Sequence, residues 1–423
     1  MTTRRELLRL AGAAAGAAAL GGVAACEKTV TARPPTVVNE RLIVETANGL
    51  TVVGAGQPTI PVGPAVLDAG RARLVRASTH ADHTDVVTHD VTTGRAVSRT
   101  GVRGALQPRV LSEGGHLVAL ATPGGPSPYR PAGRSRTTLV VADASGERVR
   151  LDLPGNLEPE AFTAAGQGLF VLEYLPPAAP DRYRVRLVDL AKGTVQPLLT
   201  RLKQPVPRGA EEEMRGEGRQ AVYHPSLQML FTLYTHQPDH LHTRDRLAGA
   251  RRNAPEVHAF VHSLNLLEQW AFCIDLPEPF GKHAPAGHAI ALRPDGSGLA
   301  VVETTTGTVA YIDPQMLTIT DVRRFAPPAG AGGTATASAA YADRGRLVVG
   351  AGREVVVVTP AAGDTDPRWS CAAPVRGLAV HARSGRVYVG QPDSVVCHAL
   401  DTGRVLARVP AAGLVALRDA IEP

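Results

Sequence analysis

The chain has 423 residues, 44% of them apolar, 20% charged and only 4% aromatic. That balance buries a core built from Val, Leu, Ala and Ile rather than from rings, and a length that would suit two or three domains also suits one all-β unit. The 45 basic and 39 acidic residues leave a formal charge of +6 with no long basic block, which excludes a dedicated nucleic-acid binder, whose footprint is a concentrated basic stripe.

The first residues carry the strongest local signal. Thr3-Arg4-Arg5-Glu6-Leu7-Leu8-Arg9 resembles the twin-arginine export motif, and Leu10 to Ala25 continues it as an Ala- and Gly-rich stretch. This stretch is too short and small-sided for a membrane span, which takes about 20 mostly apolar residues, and it has the layout of a secretory leader. It closes on Val23-Ala24-Ala25-Cys26, which resembles a lipobox. The resemblance implies that residues 1–25 are a signal peptide removed on export, lowering the net charge to +4 by loss of Arg4, Arg5, Arg9 and Glu6. Cys26 then becomes a lipidated N-terminus that anchors the protein to the cell membrane on its extracytoplasmic side. Twin-arginine export carries folded cargo, which suits a fold that closes on itself. Residues 26–40, with Arg33-Pro34-Pro35-Thr36, read as a polar spacer.

From there the chain repeats loosely at about fifty residues, the spacing of propeller blades. The clearest unit alternates over His288 to Leu292, turns at Arg293 to Gly298, and continues through Leu299–Val302, Thr308–Asp313 and Leu317–Val322. The last unit, from Val375 to Val409, has the same grammar. A recurring turn sets an acid a few residues before a glycine, as in Asp90 to Gly94, Asp143 to Gly146 and Asp189 to Gly193; glycine supplies the positive φ such turns need. Units beginning near residues 60, 105, 158, 218, 287, 334 and 375 predict a seven-bladed ring over residues 41–423, within the usual four to eight. Leu42–Thr46, Gly49–Val53 and Leu414–Leu417 are the candidates to fasten its ends, with the pairing left open. The repeats resemble the YVTN/WD40-like propeller group, and the chain is similar to actinobacterial twin-arginine lipoproteins of that kind. The resemblance implies a single all-β propeller and no particular reaction.

Three cysteines follow Cys26, namely Cys273, Cys371 and Cys397. An odd number leaves at least one unpaired, no CxxC is present to hold haem or zinc, and the expectation is small buried hydrophobes in strands. In a four-stranded blade the loops between strands two and three share a face with the blade connectors, and several of these segments are long. They hold His80 and His83 in the first unit, Tyr129 and Arg130 in the second, and Tyr183 in the third. The fourth carries His236, Asp239, His240, His242, Arg244 and Arg246, and the following connector His283 and His288. These residues form the candidate ligand-binding set. The connector Glu211-Glu212-Glu213-Met214-Arg215-Gly216-Glu217 adds carboxylates that pair with His236 or His288 in an acid–base reading.

Asp239, His240 and His242 offer imidazole and carboxylate to a transition metal such as zinc or copper, although the spacing matches no diagnostic motif. His258 and His262, four apart in a strand, share a face, and His224 and His381 fall on turns of the opposite face. No GxSxG elbow, phosphate loop or dinucleotide fingerprint is present. Two functional classes follow. The first is a monomeric surface-anchored binding or scaffold module for a protein, peptide or envelope ligand; the second is an exoplasmic enzyme on the same face, either metal-assisted or a His/Glu lyase or lactonase.

Overall fold

A computed structural model describes residues 38–54, 58–123, 131–215, 218–237, 240–249, 258–359 and 367–421. The signal residues Arg4 and Arg5, the lipidation site Cys26, and Tyr129, Arg130 and Asp239 lie outside them. Among the described residues the strands form eight four-stranded antiparallel sheets, not the seven predicted.

Seven sheets are consecutive units of the chain. Blade 1 comprises Ala65–Leu67, Arg73–Thr79, His83–Asp90 and Ala96–Arg103, and blades 2 and 3 begin at Gln107–Leu111 and Asn156–Phe162. Blade 4 comprises Gly218–His224, Met229–Thr235, Ala259–Asn265 and Ala271–Asp275. Blades 5, 6 and 7 begin at His288–Leu292, Ser338–Tyr341 and Leu378–His381. Blades 2 to 7 each begin close to where the repeat placed them.

The correction is the eighth blade. Arg41–Thr46, Gly49–Val53 and Ile60–Gly63 form its outer three strands, and Leu414–Ile421 from the other end of the chain pairs along Arg41–Thr46 as its innermost strand. The segments expected only to fasten the ring are therefore a whole blade. Ile60–Gly63, expected to open blade 1, is the outer strand of this closure. A repeat count misses such a blade because its innermost strand lies a whole chain length away from the other three.

The core confirms closure. Eight apolar clusters occur among the described residues, one at each seam between neighbouring blades. Blade 8 meets blade 7 through Leu42, Val44, Tyr388 and Leu417 and blade 1 through Ile43, Val52, Ile60, Leu74 and Val91. A strand buried on both sides sends alternate residues to opposite seams, which is why these strands read as runs of Val, Leu and Ala. Arg41, fully buried, reaches from blade 8 to the Val91 and Pro58 carbonyls at 3.0 and 2.9 Å. The three cysteines after Cys26 are free and buried, as expected, and no described helix is long and apolar enough to cross a membrane.

Candidate functional site

The site forms where blade 4 faces blade 3. In the third and fourth strands of blade 4, His262 lies opposite Cys273 and Phe260 opposite Asp275. Alternation sends Val261 and Ile274 to the blade 5 seam and Phe260 and Cys273 to the blade 3 seam. His262, Cys273 and Asp275 therefore share a face with Phe260.

The connector from blade 3 enters against that face. Backbone bonds of 3.0 and 2.8 Å between Tyr183 and Met214 pin it. Its three consecutive glutamates then alternate. Glu211 accepts from Arg184 and Arg186 of blade 3 at 2.6 and 2.7 Å, and Glu213 from Arg182 at 3.0 Å. Glu212, between them, turns the other way, toward blade 4.

The long loop of blade 4 brings two histidines onto the same carboxylate. Glu212 Oε1 lies 2.8 Å from His240 Nε2 and 3.1 Å from His242 Nδ1, and the two nitrogens are 3.2 Å apart. Phe260 supports both rings, stacked on His240 at 4.5 Å and edge-on to His242 at 5.1 Å between centroids. The far nitrogen of His242 is 2.6 Å from Asp275 Oδ1. Arg244 donates to Asp275 at 2.5 Å and to the Cys273 carbonyl at 2.7 Å, and the Cys273 thiol donates to Glu212 Oε1 at 3.0 Å.

The electrostatics follow from this geometry. Burial pushes Glu212 up, but the hydrogen bonds and charge of His240 and His242 outweigh it and hold the carboxyl well below its usual range. Burial pushes His242 down, and its bonds to Asp275 and Glu212 outweigh that, raising it to about 9. Asp275 is lowered in spite of burial by His242 and Arg244. Burial and the Glu212 charge push the Cys273 thiol well up, and burial keeps His262 low. At neutral pH the cluster is thus an imidazolium held between two carboxylates.

A cavity of about 250 Å³ opens beside the cluster. Leu198, Leu202, Val206, Met214 and Leu247 supply apolar lining, and Glu212, His242, His262, Cys273, Arg201 and Arg244 the polar part. Leu202 and Leu247 are exposed, and the Arg201 guanidinium lies over Trp270 and Phe272 at 5.3 and 5.2 Å.

The other sequence-predicted residues fall elsewhere. His80 and His83 stack at 4.5 Å on the surface, with Asp85 3.6 Å from His80 and Asp82 2.8 Å from His83. Tyr183 is buried in the seam between Tyr174 and Tyr234, so its ring packs the core. Arg246 bonds the Leu241 carbonyl within its own loop at 3.3 Å. His236 and His288 meet edge-on at 6.2 Å, and His283 lies 3.6 Å from the buried Glu303. Of the connector glutamates expected to pair with His236 or His288 in an acid–base reading, Glu212 meets His240 and His242. His224 joins the turns of blades 4 and 5 through the Gly296 carbonyl at 2.9 Å. Cys273 and Asp275 are site residues that the motifs of the sequence do not flag; strand alternation over Ala271–Asp275 is the signal that puts them on one face.

No protein-family model matches the chain, and no curated protein matches it in sequence. Among solved structures it is similar to the periplasmic gluconolactonase PpgL of Pseudomonas aeruginosa, at 15% identity and a TM-score of 0.43, over 91% of this chain and 99% of that one. It is also similar to apo AztD from Citrobacter koseri, at 11% and 0.41 over 91% and 98%. BamB from Moraxella catarrhalis follows at 13% and 0.39 over 89% and 98%. At such identities and scores these likenesses carry no argument about chemistry, and the propeller rests on its own eight sheets.

Proposed function

We propose that this protein is a binding propeller held at the extracytoplasmic face of the cell membrane through a lipid on Cys26, and that it captures a protein or peptide segment at the seam of blades 3 and 4. The observation that carries this reading is the cavity itself. It has apolar walls, two exposed leucines among its lining and two arginines, Arg201 and Arg244, beside them. An apolar side chain flanked by an acidic residue complements that surface in shape and charge, and arginine and aromatic groups are what interfaces enrich.

Neither His242 nor His288 is tuned as a general base at neutral pH. A general base works best with a pKa near the operating pH. His242 holds its proton up to about 9, whereas His288 is pushed down to about 4 by burial. Panning a displayed peptide library against the full-length, membrane-anchored protein tests the reading. Peptides joining a large apolar residue to an acidic one should be enriched, and Leu247→Glu or Arg201→Ala should lower that enrichment about tenfold, a loss of roughly 1.4 kcal/mol. Enrichment that is absent, or equal in the variants, overturns it.

A further inference from the structure

Three ligating atoms on one spot need a better explanation than a hydrogen-bond network. Glu212 Oε1, His240 Nε2 and His242 Nδ1 form a triangle with sides of 2.8, 3.1 and 3.2 Å. Two imidazole nitrogens facing each other at that separation share at most one proton between them, and both also address the same oxygen. An ion bound at about 2.0–2.1 Å from each atom in tetrahedral geometry would space them at about 3.3 Å, so the triangle would open by about 0.1–0.5 Å along its sides.

The surroundings are those of a metal-ligating histidine. Such a ligand donates its other ring N–H to a carboxylate, which fixes its tautomer and aim. His242 does so to Asp275 at 2.6 Å, and Arg244 holds Asp275 in turn. Phe260 packs under both rings, and the histidine side chains are almost wholly buried, at 2% and 3% exposure. By contrast the second such grouping, His80, His83 and Asp85, has both histidines exposed and no buried support.

We propose that Glu212, His240 and His242 bind one divalent transition metal ion of the zinc class, with its fourth position open toward the seam cavity. Two nitrogens and one oxygen suit a borderline ion such as zinc and are poor for calcium or magnesium, which take oxygen ligands. The ion takes the place of the proton that His242 Nδ1 otherwise holds toward Glu212, and that proton is released to solvent on binding. Three protein ligands leave one place for water or an incoming donor, and Glu212 and His242 both line the cavity. The carboxylate comes from Glu212 of the preceding connector; Asp239, expected from the sequence to join the two histidines, lies outside the described residues. This site goes beyond the peptide reading and does not need it, since metal binding is measured with no peptide present.

The test uses purified full-length protein stripped with chelator, dialysed against zinc and assayed for retained metal, with cobalt as a spectroscopic probe. About one zinc per chain is expected, with no retention of calcium or magnesium, and cobalt should show the intense visible bands of a four- or five-coordinate site. Glu212→Gln, His240→Ala and His242→Ala should each weaken zinc at least 100-fold. Asp275→Asn should weaken it 10- to 100-fold by releasing the aim of His242, while His80→Ala with His83→Ala changes nothing. Thermal melts of the metal-free proteins identify variants that fail to fold, and the near-isosteric Glu212→Gln and Asp275→Asn keep the test alive if the alanine variants do. Failure of the wild type to retain zinc, or equal retention by folded Glu212→Gln, overturns the proposal.

Discussion

At the scale of single residues, the buried histidines divide by what surrounds them. His288 has no exposed surface. Its Nε2 accepts from the Gly281 amide at 3.0 Å, and its Nδ1 lies 3.3 Å from the Ala284 carbonyl. Those contacts require the neutral ring with its proton on Nδ1, and burial, only partly opposed by Glu303, pushes the pKa down to about 4. The unfolded chain takes up this proton near 6.5, so between pH 6.5 and 4 it binds a proton that the folded chain refuses. Stability from this group is therefore intact above 6.5 and falls as pH drops through that window, by on the order of 3 kcal/mol in all. Urea midpoints from pH 7 to 4 should show that decline in the wild type and a shallower one in His288→Gln; equal slopes would refute it. His242, which shares Glu212 with His240, goes the other way because Asp275 and Glu212 both meet it. The place of these two histidines beside a carboxylate is legible in the chain; which carboxylate is not, because Glu212 reaches them only after the connector crosses from blade 3.

Strand alternation decides what each element contributes. Over Ala259–Asn265 and Ala271–Asp275 it sorts the residues of the blade 5 seam from those of the blade 3 seam, where the site lies, by parity alone, a distinction that the order of residues already carries. The turns are equally legible. Gly193 has φ +65°, and Asp189 accepts the amides of Ala191 and Lys192 at 3.0 Å, tying the turn as its spacing predicts. Gly193→Ala should cost about 1–2 kcal/mol, the penalty of a left-handed L-residue, visible as a lower thermal midpoint with the eight-bladed fold retained. An unchanged midpoint would count against it. Tyr183 shows the limit of such reading. It sits beside a loop in the chain, yet the pairing of Arg182–Asp189 within its blade carries the ring into the seam.

For the whole molecule the deciding event is closure. Glu45 pairs with Ala416 across the joint between the first and last strands, so Glu45→Cys with Ala416→Cys should form a disulfide. Neighbouring strands place such pairs within bonding range. A link closing so long a loop should stabilise by about 2–4 kcal/mol, against at most about 1 kcal/mol for losing the surface ion pair of Glu45 with Arg418. The readout is a higher thermal midpoint that falls back on reduction; cysteines that stay free in oxidised protein would show that the ends do not pair this way.

Local pattern was sufficient for seven of the eight blades and for their turns, because periodicity and glycine placement act over a few residues at a time. Only the tertiary structure decided the eighth blade, and only it brought Glu212, His240, His242 and Asp275 to one point. Both depend on contacts between segments far apart in the chain, and no local preference encodes which distant partner a strand or carboxylate will meet.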